Sequence, residues 1–89
     1  MTLHIIKSGQ ASAIQQVERI YQEDDQVLLI EDGCYLYTLA KQKFTKLAAL
    51  SDHMKMRGLL PKANSLEIEL ISFKEWALLT RSHPQSTTW

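Results

Sequence analysis

VLLIEDGCY, residues 27–35, joins an apolar run to an abrupt polar turn. The apolar run from Val27 to Ile30 shows no alternation with polar residues, which is typical of a strand covered on both faces in a parallel sheet. Asp32 can cap a following helix, and Gly33 eases the turn into it. This stretch therefore predicts a strand followed by a helix with residues 34–40 as its body.

The same alternation of strand and helix extends in both directions. Further strands are predicted at residues 3–6, 44–50 and 66–70, the last near a sheet edge because glutamates alternate with its apolar residues. Further helices are predicted at residues 12–22, from a cap at residues 51–52 to Gly58, and from residue 73 to Pro84. Two of them begin with capping-box patterns, Ser12 with Gln15 and Ser72 with Glu75. The sequence thus predicts a three-layer α/β fold with a mainly parallel four-stranded sheet, helices on both faces and a polar tail at residues 85–89.

Composition and charge disfavour several classes of protein, among them nucleic-acid-binding, membrane and secreted proteins. The 89 residues fit one domain, and ten basic against ten acidic side chains give a net charge of zero, which disfavours direct binding to nucleic acid or to an anionic membrane. The longest apolar runs are four residues long, far short of about 20 for a membrane span. The opening MTLHIIKSGQ has no signal-peptide pattern. One cysteine excludes an internal disulfide, so we expect a cytoplasmic protein.

Cys34 is the one candidate for thiol chemistry. It follows the carboxyl end of a predicted strand, where α/β proteins bind ligands, and a helix N-terminus favours the nucleophilic thiolate. Glu31 and Asp32 oppose a second negative charge nearby. The sequence therefore favours a packed cysteine and keeps a catalytic or persulfide-carrying thiol as the alternative.

No cofactor or metal site is predicted. His4, His53 and His83 do not pair with Cys34 at a metal-binding spacing, and no glycine-rich phosphate loop is present. We expect His4 to be a partly buried structural histidine and His53 to be solvated. Arg57 is expected to form a structural or solvated ion pair, with Asp52 as one possible partner.

The aromatic residues near the end of the chain are candidates for partner contact. Trp89 would waste a large apolar surface in water, so it packs either within the domain or against a partner. The partner-contact candidates are Trp76, His83, Gln85 and Trp89.

Four short motifs occur in an order that resembles the TusB/DsrH family of sulfur-relay proteins. They are LHIIKS at residues 3–8, EDG at 31–33, MRGL at 56–59 and FKEWALLTRSHPQSTTW at 73–89. The resemblance covers nearly the whole chain and implies a DsrEFH-like fold.

The resemblance also implies a role. A TusB-like chain is expected to be an accessory, non-catalytic subunit that assembles with TusC-like and TusD-like subunits as a dimer of heterotrimers. That complex would pass sulfur from a TusA-like donor to a TusE-like acceptor for 2-thiolation of the wobble uridine of tRNA. The carrier cysteine is expected on the TusD-like subunit.

Three alternatives stay open from the sequence. The chain could carry persulfide on Cys34, serve the sulfur-oxidation branch of the family, or form a homo-oligomer without a sulfur role. Family members of the sulfur-oxidation branch that have their own cysteine carry it in the first helix, near Val17 here, which is not a cysteine. This difference favours the tRNA branch.

Overall fold

The computed structural model describes all residues 1–89 as alternating strands and helices. The strands are β1 (Thr2–Ile6), β2 (Gln26–Leu29), β3 (Leu47–Leu50), β4 (Glu69–Ile71) and β5 (Gln85–Thr88). The helices are α1 (Ala11–Ile20), α2 (Tyr37–Lys43), α3 (Ser51–Met56), α4 (Leu60–Ser65) and α5 (Phe73–Ser82). A 3-10 helix, Glu31–Leu36, leads directly into α2.

All strands join one parallel sheet in the order β4-β3-β2-β1-β5. Ile5 pairs with Leu28 of β2 on one side and with Thr88 of β5 on the other, which gives the register of these three strands. The predicted three-layer α/β architecture is confirmed, with five strands instead of four.

The two faces of the sheet are covered unequally. On the first face, side chains of β1, β2 and β3 pack under α1, α2, α3 and α4 in a core of 15 buried residues. On the second face, seven buried residues pack mainly under α5, through Trp76 and Leu79. Val27 and Leu29 belong to the first core and Leu28 and Ile30 to the second, which explains the unbroken apolar run.

Two predicted helix starts are wrong in detail. The first helix begins at Ala11 after Gln10, so Ser12 lies inside the first turn and makes no capping bond. Asp32 does not cap an α-helix either, because the chain forms a 3-10 helix from Glu31 onward. The capping box of Ser72 and Glu75 is confirmed, with bonds of 3.2 and 3.1 Å.

The middle of the chain also differs from its prediction. The third strand is shorter than predicted because Phe44 ends α2 and its ring is buried in the first core. No side chain caps α3, although it begins at Ser51 as predicted. Gly58 follows α3 in a left-handed conformation, with φ +69°. Beyond it, α4 was not predicted, and it contains Pro61 in its first turn, where a missing N–H costs little.

The largest difference lies at the two edges of the sheet. The fourth strand begins three residues later than predicted, at Glu69, and forms one edge as expected. The predicted polar tail is instead β5, the opposite edge. All four side chains of β5 are exposed, so its backbone bonds to β1 and the packing of Trp89 hold it in place. None of the helices is long and apolar enough to cross a bilayer.

Candidate functional site at the carboxyl edge of the sheet

The carboxyl ends of β1, β2 and β3 bring a group of polar residues to one edge of the sheet. We call this group the carboxyl edge: it comprises Lys7, Glu31, Asp32, Gly33, Cys34, His53 and Arg57. In parallel α/β sheets this edge is where ligands usually bind. The residues come from three separate segments of the chain and are joined by hydrogen bonds and ion pairs.

Gly33 allows the 3-10 helix to lie directly against the end of β1. Its N–H lies 3.0 Å from the carbonyl oxygen of Lys7 and 2.9 Å from that of Ile30. A Cβ at this position would come 2.0 Å from the carbonyl oxygen of Ile6, well inside contact distance. The EDG motif therefore reflects a close backbone approach that only glycine permits.

Glu31 is held in an unusual backbone conformation. Its φ is +48°, a left-handed value that is uncommon for a residue with a side chain. Its N–H donates to Nδ1 of His53 at 2.8 Å. Because Nδ1 accepts this bond, the neutral ring carries its proton on Nε2. His53 was expected to be solvated, but it is half-buried and fixes the end of β2 relative to α3.

Arg57 connects α3 to the 3-10 helix. Its guanidinium donates to Oδ1 of Asp32 at 3.2 Å and to the carbonyl oxygen of His53 at 3.3 Å, and lies 5.8 Å from the ring centre of Tyr35. The partner of Arg57 is thus Asp32, and no ion pair joins it to Asp52. Glu31 forms a second, exposed ion pair with Lys7 at 3.7 Å. These exposed pairs position the loop and contribute little to its stability.

Cys34 lies beneath this polar layer and is fully buried. Its Sγ lies 3.8 Å from the carbonyl oxygen of Leu29, to which the thiol donates. Burial raises the pKa of the thiol to about 11, although the charge of Arg57 opposes this rise, and Asp32 adds to it. At pH 7 only about one molecule in ten thousand would carry the thiolate, the form that reacts.

Three large, exposed apolar side chains lie in or next to the segments that form the carboxyl edge. Tyr35, Met56 and Phe73 are 56%, 79% and 50% exposed. Phe73 contacts His53 edge to face, with ring centres 5.6 Å apart, and lies 6.4 Å from the ring centre of Trp76. We call Tyr35, Met56 and Phe73 the apolar rim.

A second polar centre lies under the first face of the sheet, away from the carboxyl edge. Nε2 of His4 lies 2.8 Å from Oδ2 of Asp25, and both residues are buried. Burial raises the pKa of Asp25, but hydrogen bonds from His4 and from the N–H groups of Gln22 and Thr2 outweigh it and hold that pKa below its usual value. The expected structural role of His4 is confirmed. Its acidic partner was missed, although an acid directly before a buried strand was visible in the sequence.

The four partner-contact candidates differ in their burial and in their contacts within the chain. Trp89 packs against the first core, and its ring centre lies 6.3 Å from that of His4. His83 is buried at the end of α5, where its Nδ1 lies 2.8 Å from the carbonyl oxygen of Leu79. Trp76 packs partly against the second core, and Gln85 is exposed on β5. The structure shows intramolecular packing for Trp89 and leaves Trp76 and Gln85 accessible.

No three histidine, cysteine, aspartate or glutamate side chains lie together as a group that could hold a metal ion. Comparison with the curated proteins finds no match to the chain. The family model described as "DsrH like protein" matches residues 7–86, which include the carboxyl edge, all five helices and most of the sheet. The chain therefore belongs to the DsrH-like family, and its role is of the sulfur-relay type.

Proposed function

We propose that this protein is an accessory, non-catalytic subunit of a cytoplasmic sulfur-relay complex that supports 2-thiolation of the wobble uridine of tRNA. Membership of the DsrH-like family supports the relay role. The absence of net charge fits a subunit that does not itself bind the tRNA.

The observation that carries the accessory role is the state of Cys34. A sulfur carrier needs a thiolate that can reach a persulfide donor. Cys34 is buried beneath Asp32 and Arg57, and its pKa is raised to about 11. The sulfur would therefore travel on a cysteine of another subunit, which we expect to be TusD-like.

The partners in this proposal are TusC-like and TusD-like subunits in a dimer of heterotrimers, which accepts sulfur from a TusA-like donor and passes it to a TusE-like acceptor. The apolar rim, together with Trp76, supplies the kind of surface that protein interfaces favour, because aromatic residues and methionine are enriched there. Arg57, which pairs with Asp32 and lies 5.8 Å from the ring centre of Tyr35, would help to position this surface.

Deletion of the gene, followed by mass analysis of tRNA, tests this function. We expect 2-thiouridine to be lost in the deletion strain and restored by the wild-type chain. The variants Cys34→Ser and Cys34→Ala should restore it equally, since the thiol takes no part in transfer. Normal thiouridine without the chain would refute the tRNA role.

A different result would identify the thiol alternative. If both Cys34 variants co-purify with the same partners as the wild type but fail to restore thiouridine, Cys34 itself carries the sulfur. The matched variant Met54→Leu alters another buried residue near the carboxyl edge and should behave as wild type, which controls for loss of packing.

A further inference from the structure

An open groove runs along α5 on the second face of the sheet, apart from the apolar rim. Its volume is about 330 Å³. Glu69 and Ile71 of β4 form one wall and Glu75, Leu78, Leu79 and Ser82 of α5 form the other. Gln26, at the start of β2, also lines it.

The groove carries an unbalanced negative charge. Glu69 and Glu75 line it, and neither carboxylate forms an ion pair. Glu75 accepts one hydrogen bond, from the N–H of Ser72 in the capping box, and lies in the first turn of α5, where the helix dipole offsets part of its charge. Glu69 has no such partner. Ser82 marks the C-terminal end of α5, where the helix dipole adds partial negative charge. No lysine or arginine lines the groove, so its charge fits a cation.

The rest of the groove is apolar. Ile71 is buried in its wall, Leu79 is half-buried, and Leu78 is 53% exposed. A long side chain with an aliphatic stem and a charged head matches this combination, because the stem can lie on the leucines while the head reaches the carboxylates. Arginine and lysine are the two side chains of this kind.

We propose that this groove binds a segment of a partner protein in which an arginine or lysine is flanked by apolar residues. The basic head pairs with Glu69, whose carboxylate forms no ion pair within the chain, and the apolar neighbours cover Leu78 and Leu79. The segment docks against side chains and does not extend the sheet, because β4 has only three residues and carries a charged one, features that protect an edge from pairing.

Peptide titration of the full chain followed by nuclear magnetic resonance tests the proposal. The probe is the capped tripeptide Leu-Arg-Leu, and its matched control replaces arginine with the neutral isostere citrulline. We expect the arginine peptide to shift the backbone signals of Glu69, Glu75 and Leu78, and the citrulline peptide to bind at least tenfold more weakly. Raising the salt concentration should weaken binding of the arginine peptide.

Charge variants locate the site. Glu69→Lys should weaken binding of the arginine peptide by at least tenfold, equivalent to about 1.4 kcal/mol. Glu23→Lys makes the same charge change at an exposed position outside the groove and should have less than a twofold effect.

Several outcomes would overturn the proposal. They are equal binding of the arginine and citrulline peptides, no shifts at millimolar peptide, or an equal effect of Glu69→Lys and Glu23→Lys. Spermidine binding as strongly as the peptide would point to a small cation instead. Self-association of the free chain that Glu69→Lys abolishes would point to a second copy.

Discussion

The substitution Gly33→Ala should destabilise the protein more than any other exchange of glycine for alanine. The added Cβ would lie 2.0 Å from the carbonyl oxygen and 2.7 Å from the carbonyl carbon of Ile6. Both are backbone atoms, so no side-chain rotation relieves the overlap. The 3-10 helix must move by more than 1 Å, by comparison with an ordinary contact of about 3.4 Å.

This movement has a cost that can be estimated. Overpacking a buried site costs about 1 to 3 kcal/mol, and breaking the bond from the N–H of Gly33 to the oxygen of Lys7 costs about 1 kcal/mol more. We expect a loss of about 2 to 4 kcal/mol, a large part of the roughly 5 to 13 kcal/mol available to a domain of this size. The free energy of unfolding is measured by urea titration with circular dichroism, where the midpoint should fall by about 2 to 4 M at a slope of about 1 kcal/mol per molar.

Gly58→Ala provides the matched control. A Cβ there meets no atom within 4 Å, but φ is +69°, so its cost is backbone strain alone, about 1 kcal/mol. If Gly33→Ala cost no more than Gly58→Ala, the close approach of the EDG motif to β1 would not exist and the account of this motif would be wrong.

Four further predictions concern Cys34, Asp25 and Ser72. Because the pKa of Cys34 is raised to about 11, iodoacetamide at pH 8 should label the native thiol at least tenfold more slowly than the urea-unfolded one, and equal rates would contradict its burial. The same shift gives stability that is fully present below about pH 9 and is lost as the pH rises towards 11. Cys34→Ala should therefore remove about 3 kcal/mol from the alkaline fall in the free energy of unfolding. The lowered pKa of Asp25 gives stability that is present above about pH 4 and lost as the pH falls further. Asp25→Asn should therefore cost about 3 kcal/mol at pH 7 and should make the free energy of unfolding less dependent on pH below pH 4. If that dependence were unchanged in the variant, the stabilising role of the His4–Asp25 pair would be refuted. Ser72→Ala should cost about 1 kcal/mol in urea titration, whereas Ser12→Ala should cost less than half as much, since only the first of these serines caps a helix.

The layers of the fold could be predicted because burial leaves a clear pattern in the sequence. The strand from Val27 onward contacts helices on both faces, and an unbroken apolar run is the direct result. The edge position of the fourth strand was equally visible in its glutamates. By contrast, β5 has four polar, exposed residues, and its strand is formed by backbone bonds to β1 that no side-chain pattern reports.

The site was harder to predict, because its contacts join distant segments. The EDG motif predicts a turn, but the close approach of Gly33 to the backbone of Ile6 can be seen only once the positions of the strands are known. The bond from Glu31 to His53 and the ion pair of Arg57 with Asp32 likewise cross 22 and 25 residues. The sequence predicts Asp52 as a possible ion-pair partner of Arg57 because the two residues are close along the chain, whereas the actual partner, Asp32, is brought near only by folding.

The attachment of β5 has a consequence for how the native protein opens. The strand contributes no buried side chain of its own, and Trp89 is its single apolar anchor. Such an element can detach at a free energy well below that of global unfolding. Amide hydrogen exchange should therefore be faster in β5 than in β2. Each time β5 detaches, the backbone groups of β1 that face it lose their hydrogen-bond partners. The weakly held β5 therefore protects β1 from pairing with a strand of another chain.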